Sequence, residues 1–136
     1  DFFRKTTVLS KNAKTSDIEL VPFLMDPDSR NRDTVFEVNF IQNNQTYFYQ
    51  IVLNNRYIVS EVLKTRKSGK HVYKRSTDPD SQLSIVQWGS FSPLKDRYDL
   101  AVLSKNTLWN ETVIAGFLKT NIEQPCLQEV SDWFLY

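Results

Sequence analysis

The alternation of apolar with polar residues across 35–75, interrupted at short Asn-rich or Gly-containing intervals, constrains the fold of this chain more than any other feature. A period of two puts one set of side chains on one face of a pleated strand, and two such runs across a short polar break form a hairpin. Phe36, Val38 and Phe40 share a face. Asn43, Asn44 and Gln45 follow, residues that accept left-handed dihedrals and bond their own backbone, as a tight turn requires. Tyr47, Tyr49, Ile51 and Leu53 fall together in the next run. Beyond Asn54-Asn55-Arg56, Ile58, Ser60, Val62 and Lys64 lie opposite Tyr57, Val59, Glu61 and Leu63. Lys67-Ser68-Gly69-Lys70 closes a third hairpin, after which Val72 shares a face with Lys74, and Tyr73 with His71 and Arg75. Aromatic and β-branched residues dominate the runs, as they do where side chains pair across a sheet. The expectation is an antiparallel β-meander.

The flanks change period. Across 1–13, Phe2, Phe3, Thr6 and Leu9 recur at helical spacing and predict an N-terminal helix packed on the sheet. Residues 16–25 suggest a short extended segment bent at Pro22, and 26–33 a polar loop. After a loop at 76–82, the apolar run Leu83, Ile85, Val86 and Trp88 leaves its own type open. Ser92 and Pro93 suit the cap and first residue of a helix carrying Leu94, Tyr98, Ala101 and Val102. Thr107 is expected to cap another, with Leu108, Thr112, Ala115 and Leu118 on one side and Trp109, Val113 and Phe117 widening the stripe. Gln124-Pro125 opens a last helix with Leu127, Val130, Trp133 and Phe134 inward. The fold class is therefore α+β: one domain over 1–136, its meander at 35–75 flanked by an N-terminal helix and by C-terminal helices within 93–136.

Composition narrows the functional classes. A length of 136 residues supports one core, and 40% hydrophobic with 13% aromatic residues excludes a disordered tail. A net charge of +1 implies no global attraction to nucleic acid or membrane. Cys126 is the only cysteine, which excludes an intramolecular disulfide and a cysteine-rich zinc site and fits a reducing cytoplasm. No apolar run approaches the roughly 20 residues of a membrane span. The chain opens on Asp1, not methionine, inside a helical pattern, the expectation for a fragment of a longer protein.

Catalytic signatures are missing. The single histidine, His71, stands among Lys70, Lys74 and Arg75, a neighbourhood that disfavours both its protonated form and a bound cation, so a surface or cross-strand role is expected. Nucleophilic catalysis would have to recruit His71, and Cys126 begins a predicted helix, where a free cysteine is usually buried. Gly69, Gly89 and Gly116 are the only glycines, and the Lys119-Thr120 pair after Gly116 lacks the second glycine and preceding strand of a P-loop. Asp26, Asp28 and Asp33 alternate with Arg30 and Arg32 without the glycine and closing glutamate of a calcium loop. No catalytic residue, metal ligand or cofactor is assigned to this chain alone, and an enzyme would need a pocket joining Glu61 or Glu37 to a polar partner.

One charge asymmetry remains. Lys64, Arg66, Lys67, Lys70, Lys74 and Arg75 surround the third hairpin. They read either as a lysine-rich tip that discourages edge-to-edge aggregation or as contacts to a phosphate backbone, with Tyr73 as a stacking surface.

Taken in order, several segments resemble the bacterial AAA-type ATP-binding proteins with ABC/SMC-like ATPase heads, including abortive-infection and other antiviral, anti-phage proteins. The segments are Val21-Pro22-Phe23-Leu24, Phe36-Glu37-Val38-Asn39-Phe40, Tyr47-Phe48-Tyr49-Gln50-Ile51, Ile58-Val59-Ser60-Glu61-Val62-Leu63 and Tyr73-Lys74-Arg75. Asn110 and Val130-Ser131-Asp132-Trp133-Phe134 continue the likeness over nearly the whole chain. The resemblance implies a β-rich subdomain of such a head, without its Walker motifs, supporting the nucleotide site and contacting nucleic acid or an effector partner. It further implies that ATP and Mg²⁺ are held by the rest of the parent head and that two heads close on them as a homodimer; with no apolar run of spanning length, no membrane partner is expected. Glu61 and Arg75 are the only polar pattern positions it transfers, and they read equally as a structural charge pair on neighbouring strands. A free-standing protein- or nucleic-acid-binding module is the rival reading.

Overall fold

The computed structural model describes residues 2–9, 11, 13–14, 18, 33–91, 94 and 96–136. Five strands run in sequence order through one antiparallel sheet: β1 (Thr34–Gln42), β2 (Gln45–Leu53), β3 (Ile58–Thr65), β4 (His71–Asp78) and β5 (Leu83–Trp88). Helices α1 (Phe2–Val8), α2 (Arg97–Asn106), α3 (Val113–Leu118) and α4 (Pro125–Leu135) complete the α+β architecture. The undecided run at Leu83–Trp88 is thus a fifth strand. The expected extended segment at 16–25, the loop at 26–32, the Val21–Leu24 motif and the Ser92-Pro93 cap lie outside the described residues, apart from Ile18, which is buried.

Local chemistry accounts for the hairpins. Asn43 and Asn44 both take positive φ, 51° and 66°, in the two-residue loop between β1 and β2, the handedness that matches strand twist. Asn54 turns the chain between β2 and β3 by accepting from the backbone N–H groups of Arg56 and Tyr57 at 2.8 and 2.9 Å. Gly69 supplies the positive φ, 68°, of the β3–β4 turn.

Two irregularities correct the strict alternation expected from the sequence. Val52 pairs with Ser60 but Leu53 pairs with Ile58, so β3 carries an extra residue and Ile58 is buried along with Glu61 and Leu63 instead of facing out with Ser60 and Val62. Likewise Leu63 pairs with Tyr73 and Lys64 with His71, and Val72 is buried beside Tyr73 instead of sharing an exposed face with Lys74. A bulge shifts the side-chain period locally, which alternation counting cannot anticipate.

The inner face of the sheet meets the helices through aromatic rings. Phe40 stacks on Trp133 of α4 at 4.4 Å between centroids, and Phe134 sets its edge against Tyr49 at 5.1 Å. Phe3 of α1 stacks on Phe36 at 5.2 Å. Of the α1 side chains described, Phe3, Thr7 and Val8 turn inward, whereas Leu9, expected inside, is 47% exposed, because a residue two positions past the buried Thr7 lies on the other side of a helix. Helix α2 is capped by Asp96, which accepts from Asp99 N, and buries Leu100 and Leu103 while Tyr98 points to solvent. Thr107 ends α2 instead of starting the next helix; Thr112 caps α3 by accepting from Ala115 N. Helix α4 opens with Gln124 and Pro125 as the sequence predicts. No described helix is long and apolar enough to cross a membrane.

Gly89 sits against β4 so closely that a Cβ there would lie 1.8 Å from the His71 carbonyl oxygen. Gly89→Ala should therefore force a backbone shift and lose about 1–3 kcal/mol, the range for overpacked sites. Gly69→Ala meets no neighbour within 4 Å and should lose only about 1–2 kcal/mol, from its left-handed φ. Urea denaturation of both variants tests the ordering.

Candidate functional site

Glu61 and Arg75 are cross-strand partners on β3 and β4, both directed into the core. Arg75 Nη1 donates to Glu61 Oε1 at 3.1 Å, and both side chains are fully shielded from solvent. The guanidinium then reaches beyond the sheet. Nη1 also donates to the carbonyl of Glu111 at 2.7 Å, Nη2 to those of Leu108 and Trp109 at 3.1 and 3.0 Å, and Nε to Thr77 Oγ1 at 3.2 Å. With the ion-pair contact, these bonds match the five N–H donors of an arginine. Glu61 is equally occupied: its carboxylate accepts from Tyr49 Oη at 2.9 Å, Tyr73 Oη at 2.6 Å and the backbone N–H of Val113 at 2.9 Å.

A buried charge survives only when its desolvation is met by partners in good geometry, and here both ions are met. Burial lowers the Arg75 pKa against the raising pull of Glu61, yet a guanidinium stays charged at neutral pH. Burial first, then the neighbouring Glu61 charge, pushes both the Tyr49 and Tyr73 phenols well above their ordinary range, so they remain donors. Tyr73, expected as a stacking surface, is fully buried and donates to Glu61, so it is removed from any surface role. Arg75 likewise leaves the hairpin's basic cluster for the core.

A second buried carboxylate, Glu111, extends the cluster. It accepts from Lys119 Nζ at 2.5 Å and from the backbone N–H groups of Leu108 and Lys11 at 3.0 and 2.9 Å. Nothing in the sequence singled out Glu111, since its partners lie on a loop, a helix end and the N-terminal segment. Tyr49 was expected only as an inward aromatic.

Of the remaining predicted residues, Lys64 and Lys74 stand on the opposite, outer face, and Arg66, Lys67 and Lys70 lie in the β3–β4 turn at its end. Phe48 of β2 pairs directly with Lys64 of β3, and Lys74 of β4 lies diagonally from Lys64, opposite Val62. Lys64 Nζ stands 5.1 Å and the Arg66 guanidinium 6.0 Å from the Phe48 ring centroid. Arg66, Lys67, Lys70 and Lys74 are exposed. Burial first, then Lys74 and Lys64, lowers the His71 pKa, in line with the basic neighbourhood expected for it. Phe48 went unremarked because it lies opposite the apolar set of its own strand.

Among the described residues no group of three or more His, Cys, Asp or Glu side chains could hold a metal. The described depressions are lined by such residues as Lys11, Lys105 and Lys119 or Gln82, Ser84 and Ser104, and include neither Glu61 nor Glu37. The three glycines, Gly69, Gly89 and Gly116, lie in the β3–β4 turn, just after β5 and within α3.

Arg75→Met should strand Glu61 in the core and cost about 3–5 kcal/mol, as for other broken buried pairs. Tyr73→Phe, which removes one donor to a carboxylate, should cost about 1.5–3 kcal/mol. A urea series on both measures this, and a loss below about 1 kcal/mol for Arg75→Met would remove the pair from its anchoring role. Alkaline pH supplies a second test. Burial raises Cys126 to about 11 and shifts the Tyr47, Tyr49 and Tyr73 phenols upward, so the unfolded chain ionises first. Their contribution is complete below the unfolded values, about 8.5 for Cys and 10 for Tyr, and is lost as pH rises past them. Urea midpoints should hold steady near neutrality and fall progressively above about pH 8.5.

No protein-family model, curated protein or solved structure matches this chain.

Proposed function

We propose that the chain is the β-rich subdomain of an ABC/SMC-like, AAA-type ATP-binding head, of the kind found in abortive-infection and other antiviral defence proteins of the bacterial cytoplasm. One observation carries the reading. Glu61 and Arg75, the only polar positions transferred by the resemblance, meet as a buried pair that binds the 108–111 loop, including the segment at Asn110, to the sheet. A pattern that marks such a pair marks the frame of a head and not its reactive centre. The inner face and its helices then support the nucleotide pocket from one side, and the rest of the parent head supplies the groups for ATP and Mg²⁺. Two heads closing on nucleotide form the homodimer. The outer face is left for nucleic acid or an effector protein.

A free-standing binding module is favoured by a separate observation, the exposure of Val35, Ile41, Leu83 and Ile85. Intact mass and terminal sequencing of the native protein separate the two. The ATPase reading expects a longer protein with GxxxxGK[ST] upstream of Asp1, binding a fluorescent ATP analogue in a Mg²⁺-dependent manner that is lost when its P-loop lysine is replaced by alanine. A native chain no longer than 136 residues that binds no nucleotide would overturn it.

A further inference from the structure

We propose that the outer face at the β3–β4 hairpin binds single-stranded nucleic acid, with Lys64, Arg66, Lys70 and Lys74 on the phosphates and the Phe48 ring against a base. Three observations carry this. Among the described residues none of these four cations enters an ion pair; the ion pairs found there, Arg75 with Glu61 and Lys119 with Glu111, lie elsewhere. The acids are set apart: Glu37 is on β1, hydrogen-bonded by Gln50, and Asp78 and Asp80 are at the far end of β4. The basic end is also apolar, because Ile41 is 67% exposed and Phe48 and Val62 are half-buried on the same face.

That mixture selects the occupant. A duplex presents its phosphates outward and would use the lysines while leaving Phe48 and Ile41 in water. An unpaired strand presents phosphates and flat base faces together, and an aromatic platform beside a basic track is the surface that engages both. Lys64 and Arg66, drawn towards the Phe48 ring, hold their charges next to the place where a base would rest. The proposal shares with the ATPase reading only the expectation of a partner on this face, and its test is made without nucleotide, so failure of one leaves the other standing.

Fluorescence anisotropy of the intact protein with labelled oligothymidylate, oligouridylate and a duplex of equal length, over about 50–200 mM salt, tests the proposal. Single strands should bind more tightly than the duplex, with log affinity falling against log salt at a slope of about −3 for four phosphate contacts. The variant carrying Lys64→Gln, Arg66→Gln, Lys70→Gln and Lys74→Gln should bind at least about tenfold more weakly and with a flatter slope. Phe48→Leu should weaken binding about fivefold or more and leave the slope unchanged, because it removes stacking and no charge. Circular dichroism melts check that the variants fold. Independently of any variant, ultraviolet crosslinking of a 5-bromouracil oligonucleotide to the unmodified protein should label peptides from β2 or the β3–β4 hairpin. Duplex affinity equal to or above that for single strands would overturn the proposal, as would equal competition by polyglutamate, crosslinks confined to other segments, or no binding at low salt.

Discussion

The buried ion pair between Glu61 and Arg75 is the constraint on which the rest of the architecture depends. Two charges removed from water must find partners for nearly every donor and acceptor, or the fold loses several kcal/mol. Here the partners come from four places: the β2 and β4 tyrosines, Thr77, the carbonyls of 108, 109 and 111, and the first amide of α3. Satisfying the pair therefore fixes where the α2–α3 loop lies on the sheet. The loop in turn fixes α3, whose cap Thr112 donates its hydroxyl to the Thr7 carbonyl of α1. Glu111 repeats the device one layer further out, joining Lys119 to the backbone of Lys11. A purely apolar contact of similar area could hold these elements together, but it would not set their register, since dispersion and hydrophobic burial carry little direction.

The two faces of the sheet do different work because they carry different chemistry. The inner face is aromatic and aliphatic around a polar centre, and its stacked rings, Phe40 on Trp133 and Phe3 on Phe36, pack α1 and α4. The outer face has no covering element among the described residues, and its cations gather at the end bearing the β3–β4 turn. A protein whose overall charge is only +1 can still present a local positive field where several cations gather without acids between them. The frame is thus packed against helices on one side and open, among the described residues, on the other.

Much of the fold was legible because its determinants are local. The alternation at Phe36, Val38 and Phe40 and at Tyr47, Tyr49, Ile51 and Leu53, with Asn43 and Asn44 between, is enough to draw β1 and β2 and their turn. The Gln124-Pro125 start of α4 is equally local. The bulges at Val59 and Val72 were not legible, since an inserted residue is tolerated or refused by the partner strand and not by its own sequence. At the candidate site, Glu61 and Arg75 could be singled out together, but the duty of Tyr73 was mistaken, because an aromatic among lysines looks the same in sequence whichever way it faces.

The sequence by itself determined the meander, the basic hairpin, the absence of a phosphate-cradling glycine loop and of a disulfide, and the facing of most strand residues, all of which follow from spacing over a few residues. Only the tertiary structure decided that Arg75 leaves the basic cluster for the core, that Glu111 joins the Lys11 backbone from 100 residues away, and that Phe48, not Tyr73, is the ring on the open face. The physical reason is that buried charges choose partners by three-dimensional proximity, to escape desolvation, and such partners have no fixed separation along a chain.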